Sequence, residues 1–329
     1  MAKTQTEILM ELCENLPTFS SEFLLSRVAE KSVGTRLGYG RDFSAFLDWI
    51  KLEYPNLPDK KDLSVTDMGC ITPIDIDRYI SIYLATHSES ATARSKVAIS
   101  AHFKYICNTL GALSKNPVNG AGIVRIPKKD YIIYLTDEEQ SKLLSTIEFG
   151  YGLTEKQLNY HEKLKSRDMA IIILFLDTGL RVSELVGIDI GDIDFDECSI
   201  VVTRKRKRIQ KIYYSDECKA YLKTYLEERH SLAPTWSTVN DPLFVSLKGE
   251  RLTPRQIEKL VSKYVAASLP TKAHISPHKL RSTFAMAFYG ATKDILTLQA
   301  KMGHDSLNTT NIYAKASQSQ EQQLRNWKQ

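Results

Sequence analysis

A helical bundle followed by a larger, mainly helical α+β domain is the architecture that this 329-residue sequence predicts. Three observations predict it. Through residues 1–115 apolar side chains recur at three- and four-residue spacing, the period of a helix with one buried face. Residues 116–130 (NPVNGAGIVRIPKKD) combine two Pro, two Gly and three basic residues, the composition of an extended linker. Further on, two β-branched and aromatic segments flank a basic run amid helical periodicity, which reads as one hairpin in a helical setting. The expected divisions are a first domain at 1–118, a linker at 119–131 and a second domain at 132–329. A chain of this length can bury two cores.

Taken in order, the first domain has helical periodicity at 4–15, 20–31, 35–53, 73–86 and 90–110. The clearest case is Thr35 to Tyr54, where Leu37, Phe43, Phe46, Leu47, Ile50 and Leu52 include an apolar stripe and Arg36, Arg41, Asp42 and Asp48 are available to the other face. Pro55, Pro58 and Pro73 punctuate loops. In 90–110, Arg94, Lys96 and Lys104 sit among small residues. That helix suits either a phosphate-lined surface or a solvated bundle face. The second domain opens at Thr136, with Glu139 three residues later in capping-box register, and its first helix runs to about 147. Residues 148–164 form a polar excursion. Ser166 to Thr178 is an almost wholly apolar helix, with Gly179 suited to its C-terminal cap. A helix starts at Arg181 to Gly187. Segments 198–204 and 209–215 form the hairpin. Helix follows over Asp216 to Arg229, then a short strand over Asp241 to Val245. Pro254 stands at the first position of a helix to about Ser268, and further helices start at 277, 292 and 305.

Composition excludes several classes. The longest apolar run, Met169 to Leu176, is eight residues, well short of the ~20 that span a bilayer. The N-terminal stretch MAKTQTEILMELCENL has no apolar signal core. The five cysteines (Cys13, Cys70, Cys107, Cys198, Cys218) are scattered without metal-ligand spacing, so reduced thiols and a cytoplasmic setting are expected. Net charge is +5. Residues 1–125 hold 14 basic and 14 acidic side chains, so the whole excess belongs to the second half. It suits a polyanion site there and, equally, an ordinary solvated surface.

Chemistry concentrates towards the C-terminal end. His278 and Arg281 stand three apart in SPHKLR, one helix face, where both can meet one anion. Arg grips phosphate with a bidentate fork and keeps its charge. His304 follows in MGH, and Tyr313 comes nine residues after it. Upstream, DTGLRVSEL places Arg181 directly after a buried helix and its Gly turn, with Glu184 on the same face to orient neighbouring cations. The hairpin tip Arg204-Lys205-Arg206-Lys207-Arg208 offers a Lys. Each part alone also suits an ordinary surface pair or a core residue.

Together and in this order, TGLRVSEL, a hairpin Lys, HxxR, and GH followed by Tyr resemble the tyrosine recombinase (phage integrase) family. Xer-type members look most alike, through SPHKLRSTFA and MGHDSLNTTNIYA. The resemblance covers essentially the whole chain. It implies a SAM-like helical core-binding domain that binds DNA and an α+β catalytic domain with a small β-sheet. It assigns catalysis to Arg181, Lys205, His278, Arg281, His304 and Tyr313, with Glu184 in support. Lys205 competes with its basic neighbours and with Lys211, because hairpin register is not fixed by sequence. Arg94, Lys96, Lys128, Lys129, Arg204, Arg206, Lys207 and Arg208 are the expected DNA grips. The implied reaction is attack of Tyr313 on a DNA phosphate to leave a 3′-phosphotyrosyl link and a free 5′-hydroxyl, with no nucleotide cofactor and no metal. The implied partners are duplex DNA carrying paired recombination sites and a homo-tetramer upon it, without a membrane. Two rival readings use the same residues: a catalytically inactive DNA-binding protein, and a type IB topoisomerase that relaxes DNA without a cognate site. Attack within one protomer's site or in a neighbour's stays open.

Overall fold

The computed structural model describes residues 3–26, 31–122, 132–204, 208–232, 238–272, 274–303 and 310–317. The chain divides into two compact units, Met1–Lys128 and Lys129–Gln329.

Among the described residues the first unit is helical: α1 (Gln5–Glu14), α2 (Thr18–Leu25), α3 (Val33–Glu53), α4 (Pro73–Thr86) and α5 (Glu89–Asn108), with short 3-10 turns between them. Local chemistry starts several of these helices. Thr4 with Glu7 and Thr72 with Asp75 form reciprocal capping boxes, and Ser88 caps α5. Burial then decides the packing. Leu37, Phe43, Phe46, Leu47 and Ile50 of α3 are buried against Ile76, Tyr79, Ile99 and Phe103 of α4 and α5. Two expectations for α3 are corrected. Leu52 is 77% exposed, outside the stripe, and Asp42 is buried rather than solvated because its carboxylate receives a two-point bond from Arg94, at 2.9 and 3.1 Å. The second helix ends at Leu25, short of the expected 31.

The second unit contains α6 (Asp137–Phe149), α7 (Glu155–His161), α8 (Lys165–Thr178), α9 (Val182–Leu185), a three-stranded antiparallel sheet, α10 (Asp216–Leu232), α11 (Pro254–Ser268), α12 (Pro277–Thr292), α13 (Ile295–Met302) and α14 over 310–317. The sheet runs β1 (Ile193–Asp194), β2 (Ser199–Thr203), β3 (Ile209–Tyr213) in sequence order, with Ile200 opposite Ile212 and Thr203 opposite Ile209. Its pleat is one-sided: Ile200, Val202 and Ile212 are buried, while Val201, Ile209 and Tyr213 are exposed.

The apolar helix α8 is buried because it packs against α6, α10 and α12. Met169 through Phe175 are all in the core. One charge goes in with them. Asp168 is fully buried, and Arg167, Lys263 and the Tyr264 hydroxyl bond its two oxygens at 2.6 to 3.0 Å. That arrangement satisfies a carboxylate that would otherwise be costly to bury. At the other end, Gly179 adopts φ +63°, and a Cβ there would lie 2.3 Å from the Phe284 ring, so both backbone and space require glycine.

Two further expectations change. The excursion at 148–164 is not simply polar: Thr154 and Gln157 cap a real helix, α7, and Leu153 and His161 are buried. The strand expected at Asp241 to Val245 is reduced to isolated bridges, Asp189 with Pro242 and Val245 with Arg251. The segment also pairs across a tight turn, with Ser246 N–H donating to Glu250 C=O at 2.8 Å and Leu252 N–H to Phe244 C=O at 3.2 Å.

Candidate active site

Five segments of the second unit meet at one place. The turn after α8 brings Arg181, and α9 brings Glu184. The end of β2 brings Arg204, α12 brings Arg281, and the C-terminal turn of α13 offers the carbonyls of Lys301, Met302 and Gly303. Arg181 stands at the N-cap of α9, where its N–H donates to Glu184 Oε2 at 2.9 Å and its Nη1 to Oε1 at 2.7 Å. Its Nη2 donates to Gly303 C=O at 2.9 Å. Arg281 is 2% exposed. It donates to Gly179 C=O at 2.5 Å and to Met302 C=O, and Glu184 lies 4.0 Å away. Burial first, then the neighbouring Arg181 charge, lowers the Arg281 pKa to about 10. Glu184, 5% exposed, is the acidic partner that these guanidinium groups share.

The arrangement concentrates positive charge around one carboxylate and one helix end. A helix C-terminus presents unpaired carbonyls and the negative end of its dipole, and here arginines satisfy them. Three cations packed around one carboxylate leave a net positive charge in a poorly hydrated place, where an incoming anion interacts strongly. Arg181 keeps its side chain 25% exposed, facing solvent.

Tyr313, on α14, is 3% exposed and packs among Phe284, Met286, Leu298 and Met302. Burial raises its pKa, while a hydrogen bond with the Ser282 side chain and the Arg281 charge pull the other way. The phenol is therefore protonated at neutral pH and lies in the field of the arginine cluster. His278 lies one turn before Arg281 on α12, at the surface. Desolvation, with the charges of Lys279, Arg281 and Arg181, holds its pKa below the ordinary value.

The structure thus brings together Arg181, Glu184, Arg281 and Tyr313 from positions up to 132 residues apart in sequence. Lys205, Arg206, Lys207, His304, Lys128 and Lys129 lie outside the described residues. Arg208 is exposed beyond the hairpin end. In the first unit Arg94 pairs with Asp42 while its side chain stays 59% exposed, and Lys96 donates to Gly122 C=O. Arg204 corrects the expectation made for it. It is 6% exposed, turned inward, and bonded to Glu184 and to the carbonyls of Lys301 and Met302. Strand parity accounts for this once pairing with β3 has fixed the register. Positions 200, 202 and 204 share strand parity, and Ile200 and Val202 face the core. Ser282, which touches the Tyr313 phenol, was missed for want of any motif.

Comparison with known proteins places the chain in a family. The model of the phage integrase family matches residues 134–320. A tyrosine recombinase XerC of Caldanaerobacter subterraneus subsp. tengcongensis is 32% identical, over 92% of this chain and 84% of its own length. The tyrosine recombinase XerS of Streptococcus agalactiae is 27% identical, over 93% of this chain and 94% of its own. Among solved structures, the Tn1549 transposon integrase in complex with transposon right end DNA matches with TM-score 0.67 at 18% identity, over 95% of this chain and 99% of its own. The XerH site-specific recombinase bound to palindromic difH substrate matches with TM-score 0.63 at 20% identity, over 95% and 81%. These two show likeness of fold.

Proposed function

The chain belongs to the phage integrase family and is a Xer-like tyrosine recombinase, an enzyme that breaks and rejoins DNA at specific sites; from that premise we propose that Tyr313 is its nucleophile and that Arg181 and Arg281 grip the scissile phosphate. What carries this reading is the convergence of Arg181 and Arg281 on one turn, with the Tyr313 phenol in the field of Arg281.

The chemistry follows from the groups. A phenol near pKa ~10 is a weak nucleophile until its proton leaves or the phosphorus becomes more electrophilic. In the proposed step the Tyr313 oxygen attacks phosphorus, its proton passes to His278, and the P–O5′ bond breaks as Lys205 protonates the departing oxygen. The two arginines, with His304, stabilise the charge on the non-bridging oxygens. The products are a 3′-phosphotyrosyl strand and a 5′-hydroxyl, and the reverse step with a partner strand rejoins the DNA. Glu184 orients Arg181. Tyr313 is buried, so attack requires α14 to move relative to α12 and α13.

We further propose that the enzyme works in the cytoplasm on paired sites as a homo-tetramer, that the 1–118 domain is a core-binding domain joined by the linker at 119–131 to the catalytic domain at 132–329, and that Arg94, Lys96, Lys128, Lys129, Arg206, Lys207 and Arg208 contact the DNA backbone. Deleting 317–329 is then expected to impair recombination while leaving single-site binding intact, as read by gel shift and by a two-site recombination assay. The central test is a nicked suicide substrate. Wild type should form a covalent protein–DNA complex, and Tyr313→Phe should not. A complex trapped equally by both would overturn the assignment.

A further inference from the structure

Arg204 takes no part in the reaction proposed above, yet it is as thoroughly enclosed as the groups that do. Its guanidinium contacts Glu184 Oε1 at 3.2 Å, Met302 C=O at 3.0 Å and Lys301 C=O at 2.5 Å. The turn it grips is shaped around it. Gly303 has φ +55°, and a Cβ there would lie 2.7 Å from both Cδ and Nη1 of Arg204. Its own backbone is fixed as well, since its N–H donates to Arg208 C=O at 2.7 Å at the end of the β2–β3 pair.

We propose that Arg204 is a positioning residue of the phosphate clamp: by holding Glu184 and the carbonyls of Lys301 and Met302, it fixes the direction in which Arg181 and Arg281 offer their remaining N–H donors to a phosphate. This rests on the reading of Arg181 and Arg281 as that clamp. The three guanidinium groups compete for acceptors, since one carboxylate and the turn carbonyls serve them all. With Arg204 in place, Glu184 is shared, and the Met302 carbonyl accepts from both Arg204 and Arg281. Without it, Glu184 and the freed carbonyls turn to Arg181 and Arg281, occupying donors otherwise available to substrate. Lys cannot substitute, because one compact ammonium does not reproduce a planar fork that reaches several acceptors at once.

The test measures single-turnover cleavage on two versions of a cognate site, one with an ordinary scissile phosphate and one with a methylphosphonate there. Replacing a non-bridging oxygen by methyl removes the charge that the clamp must stabilise. Arg204→Gln is expected to slow cleavage of the ordinary site by about 10- to 100-fold, by analogy with the loss when a group that orients a metal ligand is removed, with most of that deficit gone on the methylphosphonate. Arg204→Lys and Gly303→Ala should show the same pattern, and the Arg204→Gln, Gly303→Ala double variant should be no slower than the slower single variant. Thermal unfolding and single-site binding establish which variants are folded. If Arg204→Gln is not, the other two single variants decide. Equal deficits on both substrates, or no deficit on either, would overturn the inference. Arg181→Ala separates the clamp from its positioning. If it gains no relief on the methylphosphonate, the clamp reading itself fails. If it gains relief and the Arg204 variants do not, only the positioning role fails.

Discussion

Glu184 is a single carboxylate set among three guanidinium groups, and its surroundings make it hard to replace. Removing one member of a buried charge network leaves the others uncompensated, typically at a cost of about 3–5 kcal/mol. Glu184→Leu should therefore lower unfolding stability by that order, with Glu184→Gln milder because it keeps an acceptor oxygen. Denaturant midpoints check this, and a neutral Glu184→Leu would contradict the shared-acceptor picture. His278 makes a kinetic prediction. Its folded-state pKa is held below the ordinary histidine value of 6.5, so the imidazole is mainly neutral, and competent as a base, at pH 7. The acid limb of single-turnover cleavage should therefore have its midpoint below about 6.5, where the ring takes up a proton. An acid limb centred above about 6.5 would exclude His278 as the base in this environment.

At the scale of elements, α5 shows how a helix can carry a titratable group as a core residue. His102 stacks on Phe43 with ring centroids 3.9 Å apart and 2° between the planes, and its Nδ1 pairs with Ala98 C=O. Burial pushes its pKa down to about 3. The unfolded chain binds a proton there below about pH 6.5, and the folded chain does not until about 3. Unfolding is thus favoured as pH falls through that window, by up to about 1.4 kcal/mol per pH unit. Acid titration of the first unit's stability should show this slope, and His102→Phe should flatten it. An unchanged slope would mean that other groups dominate. The hairpin follows a related rule. Period-2 alternation from Ile200 and Val202 carries Arg204 inward, so a run of five basic residues is not a uniform basic surface. The register that decides this was not legible in the run itself. It is set by pairing with β3 and by the turn of α13, about 100 residues on.

For the whole molecule, the charge balance and the site agree. The basic excess belongs to the second half of the chain, and its best-organised cations are the arginines gathered around Glu184, whose remaining N–H donors suit an anion. DNA binding of this kind releases counterions, and log K falls with log salt by about 0.9 per neutralised phosphate. Replacing Arg206, Lys207 and Arg208 together by serine should weaken binding to all sequences alike and reduce the salt slope by about one for each phosphate no longer neutralised. A gel-shift series across salt concentrations measures it, and an unchanged slope would remove this run from the DNA-binding surface. Among the described residues no helix is long and apolar enough to cross a membrane.

Most helices of both units, the hairpin and the linear order of Arg181, Glu184, Arg281 and Tyr313 were set by local pattern: spacing, caps and turn residues act over a few positions and can be read directly, whereas α7 lay inside a stretch that reads as polar. The family followed from that order as well. Three features were decided only in three dimensions. Arg204 became a clamp-side anchor rather than a surface grip, Asp168 entered the core beside Lys263 and Tyr264, and Tyr313 came to rest under α12 and α13. In each case the deciding partner is contributed by another element, distant in sequence, and a side chain's burial and charge state depend on what the folded chain brings against it.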